Sequence, residues 1–478
     1  MGLSGLLLLN VVYLALGVGV IGLLRLARSW RDLFAKAGLA YLAGLCIAGI
    51  AAAELAVVDV PLAPLLLGVV AAIVLVAGLR RLSRGLEPRT HAREQRLWGS
   101  RLIGVAALVQ TGLLLGVAGT AFAVRPLWDW DGWAIWGFKA RALYAFGGVS
   151  NPAFESHVYA HHMQDYPLFV PALEATAFRA IGSVDDRLVH LQLLGLAVGF
   201  VGALWALLRP RVPAEVLGLS LLAIVAAPGI LDGLAANYAD VPLAIFLALG
   251  LAALARWLID PRREFLGWAA LFLACAALTK NEGALFAGAA ILAALVVASQ
   301  RRKVLLVAAA TFLPLVPWRI FVAVHHIQDA ALRPSDLRPA ALARHTDRIE
   351  PAASRLVHEL VFAPHGFLVP MTLVALAAGF AAGRKRAGLF MSIWFGASFA
   401  GLVLVYWGSR LPLGWYLATS APRIVIPLVL GGAAVAPLLA GEAWKQTLAE
   451  FRAQKGLYTS TSVPTPIKTA PSNIDGNA

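Results

Sequence analysis

Asp129 and Asp131 stand two residues apart in the run WDWDGWAIW, each flanked by tryptophan. A carboxylate walled by aromatic rings is partly desolvated, which raises its pKa and makes it a better base for an attacking hydroxyl. Tryptophans also collect at membrane–water boundaries, and on that reading the two aspartates are solvated loop residues. Lys139 and Arg141 follow, and on a helix their side chains point in different directions. Each suits a phosphate contact, and each suits snorkelling to lipid headgroups. His157 and His161 have i,i+4 spacing, which on an α-helix places both on one face as a zinc pair requires. No HExxH pattern accompanies them, and a phosphate or sugar-hydroxyl contact suits His161 and His162 equally well. No metal ligands are assigned, and a divalent cation stays an open requirement.

Later stretches add further charges. Asp240 follows Asn237 and Tyr238 and precedes Pro242, where a carboxylate caps a helix and meets its positive dipole end; the same acid can accept hydrogen bonds from sugar hydroxyls. In TKNEG, Lys280 and Glu282 either neutralise one another in a capped turn or leave Lys280 to compensate a lipid phosphate. Arg410 and Arg423 flank the last polar stretch. A guanidinium matches a phosphate bidentately, and interfacial arginines also serve as anchors.

These residues are set in a greasy chain. Of its 478 residues, 60% are hydrophobic and 14% charged, and its mean hydropathy is +0.77, far from the soluble globular range. The formal charge of +14 sits in short basic runs between apolar segments. That is the pattern of cytoplasmic loops under the positive-inside rule, so membrane lipids rather than nucleic acid are the expected partners. Cys46 and Cys275 both fall in apolar runs and imply no disulfide framework. The first apolar run lacks a basic leader and is followed by Arg25, Arg28 and Arg31, which predicts a retained first helix.

A bilayer core of ~30 Å takes ~20 apolar residues per helix, and by that ruler there are about thirteen spans. Four of them (3–24, 37–58, 62–79 and 98–124) precede a polar loop at 125–187, and the others run from 188 to 439. If the basic runs are cytoplasmic, the 125–187 loop, a second long loop at 325–359, and the turns at 232–240, 280–282 and 410–423 all face outward. A segment as polar as 125–171 cannot lie among lipid tails and must be an ordered loop at one face. The spans at 265–278 and 284–299 are short, which would set Lys280 and Glu282 below the surface, at the floor of a cavity. The tail from Lys445 is polar, and its end has the composition of a disordered segment.

WDGWAIWGFKARALY, HHMQDYPLFVPALEA, NYADVPLA, TKNEG and SAPRIVIPLV, in that order, resemble the GT-C superfamily of membrane glycosyltransferases. The resemblance is nearest to bacterial polyprenyl-phosphate-sugar-dependent members related to the protein O-mannosyltransferase and aminoarabinose-transferase families. It covers roughly residues 102–439 and implies an all-α polytopic fold of GT-C type. It places the catalytic aspartate on Asp131, with Asp129 as the second choice of register, and the cleft pair on Tyr166 and Pro167. It places a later acid on Asp240 and a phosphate-contacting arginine on Arg423. Lys139, His161, His162, Lys280 and Glu282 complete the expected substrate-binding set. Members of the superfamily usually have one helix before the catalytic loop, whereas four are expected here. Residues 1–97 therefore form a separate, unassigned part, 98–443 the catalytic part and 444–478 a cytoplasmic tail.

The reaction implied is inverting transfer of a sugar from a polyprenyl-phosphate donor to a hydroxyl of a protein, lipid or glycan, at the outer face of a bacterial inner membrane. The lack of any Gly-rich phosphate loop suits a donor that arrives within the membrane. A multi-pass transporter or lipid flippase is the alternative, since intramembrane charges serve that class as well. A scaffold that binds envelope precursors without chemistry is a third reading.

Overall fold

The structure, a computed structural model, describes residues 2–84, 98–329 and 331–460. Among these residues the only regular elements are helices. Nine helices among the described residues are long and apolar enough to cross a bilayer, and Ala214–Val225 with Pro228–Ala235, bent by 52°, makes a tenth if counted as one broken span. The bend falls where Pro228 opens the second helix; a proline there gives up an N–H that would be unpaired anyway. The chain is an integral multi-pass membrane protein.

The thirteen expected segments are all helical, but three of them are too short to count as full crossings. Arg263–Thr279 and Asn281–Val297 have 17 residues each and Leu368–Ala381 has 14. At 1.5 Å per residue these reach ~21–26 Å, short of a ~30 Å core. Of the basic run expected at 80–96, residues 85–96 lie outside the described residues, as does the tail end from 461; residues 445–460 continue the last helix.

Burial separates the helices. Leu413–Thr447 and Asp240–Ile259, 94% and 89% buried along their apolar windows, run through the middle of the bundle, the second as its axial helix, whereas Pro64–Ser83 and Leu102–Val124 are 22% buried and turn most of their surface outward, as lipid-facing helices do. The N-terminal helices are tied to the rest by polar contacts as well as by packing. Tyr41 Oη donates to Asn10 Oδ1 (2.6 Å), Asn10 Nδ2 to Gln192 Oε1 (2.9 Å), and Gln192 Nε2 back to Tyr41 Oη (3.2 Å), a closed ring joining three spans. Inside a bilayer such groups have no water to turn to, so the ring fixes helix positions. Ser150 N and Val149 N, in the 125–187 loop, donate to Asp59 Oδ1 (2.8 Å) and Ala56 O (3.1 Å) at the end of the Ala37–Val57 helix. The first helices thus brace the loop they precede.

The spans carry charged residues to two ends. One end, the loop end, gathers Asp131, Asp165, Asp240, Lys280 and Arg423. The other, the arginine end, gathers residues 25–36, 209–213 and 260–264.

Candidate functional site

The loop end is assembled from six stretches of chain, around Asp131, Asp165, Asp240, Lys280, Arg319 and Arg423. The first is a π-helical turn, Asp131–Trp136, running into the Gly137–Phe146 helix; Gly137 N donates back to Gly132 O, the wide spacing that sets π apart from α. This turn lies against the 236–237 backbone so closely that a Cβ on Gly132 would sit 2.2 Å from Ala236 O. Only glycine permits that approach, and the approach places Asp131 beside the start of the axial helix.

Asp131 is held from the far end of the sequence. Arg423 Nη1 donates to Asp131 Oδ2 at 2.6 Å, with both side chains partly open to solvent. The Arg423 guanidinium also lies over the Tyr238 ring, 4.3 Å from its centroid, and Nε donates to Thr419 O (3.2 Å). Tyr238 is hydrogen-bonded in turn to Asp129. Burial first, and then that hydrogen bond, raise the Tyr238 phenol well above its ordinary value, so it stays a neutral donor. Asp129, Tyr238, Arg423 and Asp131 therefore form one linked group.

The expected wall of tryptophans is absent. Trp128, Trp130 and Trp133 are 62%, 56% and 40% exposed, and Trp130 packs edge-on against Trp133 rather than over Asp131. Their amphipathic rings face outward, as belt tryptophans do. Trp136 alone of the four turns inward, stacked on Tyr166 with centroids 5.6 Å apart.

Below this pair lies a second group. Lys280 is a single extended residue between the Arg263–Thr279 and Asn281–Val297 helices, so both short helices end on it. Gly283 allows the tight return, since a Cβ there would meet Ala276 O at 1.9 Å. Lys280 Nζ donates to Asp240 Oδ1 at 2.8 Å and stands 3.5 Å from Glu282 Oε1, and all three side chains are buried. Asp240 is within electrostatic reach of both Lys280 and Arg423, which couples the upper group to the lower.

A third group closes the site. Asn281 Nδ2 donates to Asp165 Oδ2 (2.6 Å), Arg319 Nη2 to Asn281 Oδ1 (2.6 Å), and Trp318 Nε1 to Asp165 O (3.0 Å). Lys139 Nζ donates to Met163 O and, at 3.0 Å, to Tyr166 O. Burial draws the Lys139 ammonium down to about 7, opposed by the charge of Asp165. Burial also raises Asp165, opposed chiefly by Lys139. Asp329, in the second long loop, is pushed up to about 6 by burial and then by the like charge of Asp165. The Tyr166 ring has Lys139 and Lys280 each 5.8 Å from its centroid.

The histidines sit apart from this core. His157–His162 winds as a 3-10 helix, in which residues three apart eclipse, so His157 and His161 do not share a face as they would on an α-helix. His162 is hydrogen-bonded through Nδ1 to Ala134 O and stacks on Phe138 at 4.0 Å, while His161 is exposed and tilted against the His162 ring at 3.9 Å. Burial lowers His162 below its ordinary value, which keeps the ring neutral. Among the described residues no three His, Cys, Asp or Glu side chains come close enough to hold a metal ion. Arg410 is engaged elsewhere, with Nε and Nη2 on the Asp336 carboxylate at 2.6 and 2.8 Å.

Asp129, Asp131, Lys139, Tyr166, Asp240, Lys280, Glu282 and Arg423 are thus brought to one place. Sequence reasoning missed Asp165, Asn281, Arg319, Asp329 and the bridging role of Tyr238. It also missed Glu174, buried at the side of the site, which accepts from Asn237 Nδ2 at 2.9 Å and whose carboxyl burial pushes up to about 8. Comparison of the chain with family models, with curated proteins and with solved structures returns no match.

Proposed function

We propose that this protein is a glycosyltransferase of GT-C type that takes a sugar from a polyprenyl-phosphate donor. Its loop end would face the outside of a bacterial inner membrane. The observation that carries the reading is the partly open Arg423–Asp131 bridge within electrostatic reach of the buried Lys280–Asp240 pair. It offers a base and a phosphate-binding cation in contact with one another, at the membrane edge where a lipid-borne donor arrives.

The resting bridge has a mechanistic consequence. An aspartate that shares its charge with a guanidinium is a poor base. A donor phosphate that draws Arg423 to itself bidentately frees Asp131 at the moment the substrate is in place. The acceptor hydroxyl then attacks the anomeric carbon from the face opposite the phosphate. The new C–O bond forms as the anomeric C–O(phosphate) bond breaks, the hydroxyl proton passes to Asp131, and polyprenyl phosphate leaves with its charge held by Arg423 and the Lys280 field. Inversion follows from the single displacement. Preorganised cations in a partly dry site are worth more than in water, because they need no reorganisation as charge develops. Asp240 and Glu282 keep Lys280 in position, and Tyr238 keeps Arg423 over the mouth.

Transport or lipid flipping is the second reading, and the buried Asp165–Asp329 pair, with its raised carboxyls, is the observation in its favour. Against it, the charged groups gather at one end of the bundle, whereas a transporter site sits near the midplane. The test uses full-length protein in nanodiscs with a panel of polyprenyl-phosphate sugars, following release of polyprenyl phosphate with and without a chelator. Release by the wild type and not by Asp131→Asn supports transfer, and the chelator arm decides whether a cation is needed. Folded protein that releases nothing from any donor, but moves lipid or solute in proteoliposomes, overturns it.

A further inference from the structure

A roomy cavity lies at the arginine end, across the bundle from the site above. It measures about 920 Å³, with walls of two kinds. One is apolar and includes Leu39, Val105, Leu108, Trp205, Phe265 and Trp268. The other is charged, with six basic side chains (Arg28, Arg31, Lys36, Arg209, Arg256 and Arg262) against two acids, Asp32 and Glu264. Lys36 is answered by Asp32 at 3.1 Å, and Arg262 by Asp260 at 3.0 Å and Glu264 at 3.6 Å.

Arg256 differs from the others. It stands in the last turn of the axial helix, is 1% exposed, and lies over the Phe265 ring at 4.7 Å. Its Nε and Nη1 are buried and have no hydrogen-bond partner among the described residues. The charges around it are Arg211 and Arg262 on one side of the balance and Asp260 and Glu264 on the other, and the two acids also face those same arginines. A buried guanidinium with donors unmet is costly unless an anion completes it. A planar fork of N–H groups suits a phosphate, whose oxygens it can bind two at a time. Apolar walls beside the fork suit the hydrocarbon of an amphiphile, the arrangement in which basic pockets between membrane helices hold lipid headgroups.

We infer that this cavity is a binding site for an anionic phosphate group, seated on Arg256 and screened by Arg31 and Arg262 at its rim. The site is separate from the transfer chemistry and does not depend on it. Two sources supply such a group: the headgroup of an anionic phospholipid, or a water-soluble phosphate.

The experiment uses delipidated full-length protein in neutral detergent, titrated separately with phosphatidylglycerol, phosphatidylcholine and inorganic phosphate. Native mass spectrometry reads occupancy and the melting temperature reads stabilisation. The expected result is saturable binding of one phosphatidylglycerol or of phosphate, with phosphatidylcholine weaker. Losing one charge-assisted contact weakens a ligand by about 10–100-fold, and that loss is expected in Arg256→Gln. Arg31 is exposed, where substitutions usually change stability little, so Arg31→Gln, expected to fold and to weaken binding several-fold, decides the matter if Arg256→Gln does not fold. Asp131→Asn, at the other end, should bind as the wild type does. Phosphatidylglycerol binding that inorganic phosphate does not displace identifies a lipid site; displacement identifies a soluble one. Equal uptake of phosphatidylcholine, no saturable binding of any of the three, or binding unchanged in the arginine variants overturns the inference.

Discussion

The Arg423–Asp131 and Lys280–Asp240 bridges have nearly the same length, 2.6 and 2.8 Å, and share a neighbourhood, yet they differ in access to water. The side chains of the first are 20% and 26% exposed, and those of the second 11% and 4%. A bridge near water is worth little to the fold and opens at small cost, so its members are available to a substrate. A buried bridge cannot open without stranding a charge, so it serves as the fixed floor on which the upper pair is set. One end of one bundle thus separates a bridge that water reaches from a bridge that it does not.

The largest effect should fall on the reacting pair. Asp131→Asn removes the proposed base while keeping the shape, and general-base catalysis is worth about 10²–10⁴-fold. Release of polyprenyl phosphate should drop by that factor, with the melting temperature close to wild type. A variant that retains full activity removes Asp131 from the reaction, and one that fails to fold erases the contrast between the bridges.

Lys280→Met tests the other side. It leaves Asp240 and Glu282 buried without their cation, which should cost about 3–5 kcal/mol and show as lost yield and a lower melting temperature. The double variant Lys280→Met, Asp240→Leu should recover part of the loss, because no lone charge at position 240 then remains. Arg423→Gln should change stability by no more than about 1 kcal/mol while strongly impairing transfer. Equal stability losses in the two single variants would show that burial does not divide them.

Gly132→Ala probes what positions the upper pair. The new Cβ would meet Ala236 O at 2.2 Å, so the π-turn must move away from the axial helix and carry Asp131 with it. Misplacement of about 1 Å costs a catalytic group up to about 10²-fold, which should appear in kcat more than in KM.

How much of this was legible in the sequence follows from what each feature depends on. The apolar segments announce their own helices, because length and hydropathy are local properties. The 17-residue helices meeting at TKNEG could be read as short, and with them the depth of Lys280. Asp131 and Arg423 were named from the order of motifs, but their contact, across 292 positions, was not. Asp165, Asn281 and Arg319 were overlooked because none has a local pattern; they matter only when three distant stretches meet. The tryptophan wall failed for a related reason, since the sequence shows that the rings are near Asp131 but not which way they turn. The i,i+4 histidine pairing assumed an α-helix where the chain winds more tightly.

The second long loop gives a pH test of the buried groups. Asp329 sits at about 6 in the folded protein against an ordinary 3.8. For a raised carboxyl the stabilising contribution is fully present below the ordinary value and is lost as pH rises through the folded one. Wild-type stability from this source should therefore fall across pH 3.8 to about 6, as Asp329 ionises in its buried setting and then against Asp165. Asp329→Asn should flatten that part of the profile in thermal unfolding. Unchanged slopes in the variant would exclude ionisation of Asp329 as their cause.

The smallest effect belongs to Tyr238, which joins the two aspartates of the loop through Arg423. Tyr238→Phe keeps the ring under the guanidinium and removes only the hydroxyl that reaches Asp129. If Asp131 is the base and Asp129 a bystander, the change costs one partly exposed hydrogen bond, about 0.5–1.5 kcal/mol, and activity should fall only several-fold. Tyr238→Ala also removes the ring, and with it a contact worth about 0.5–1 kcal/mol at such a site, so it should be the worse of the two. If Asp129 were the base instead, Tyr238→Phe would remove its hydrogen-bond donor and change the pH–rate profile, while Asp131→Asn would leave activity standing. Measuring both variants across pH therefore decides which aspartate of WDWDGW reacts and which one orients.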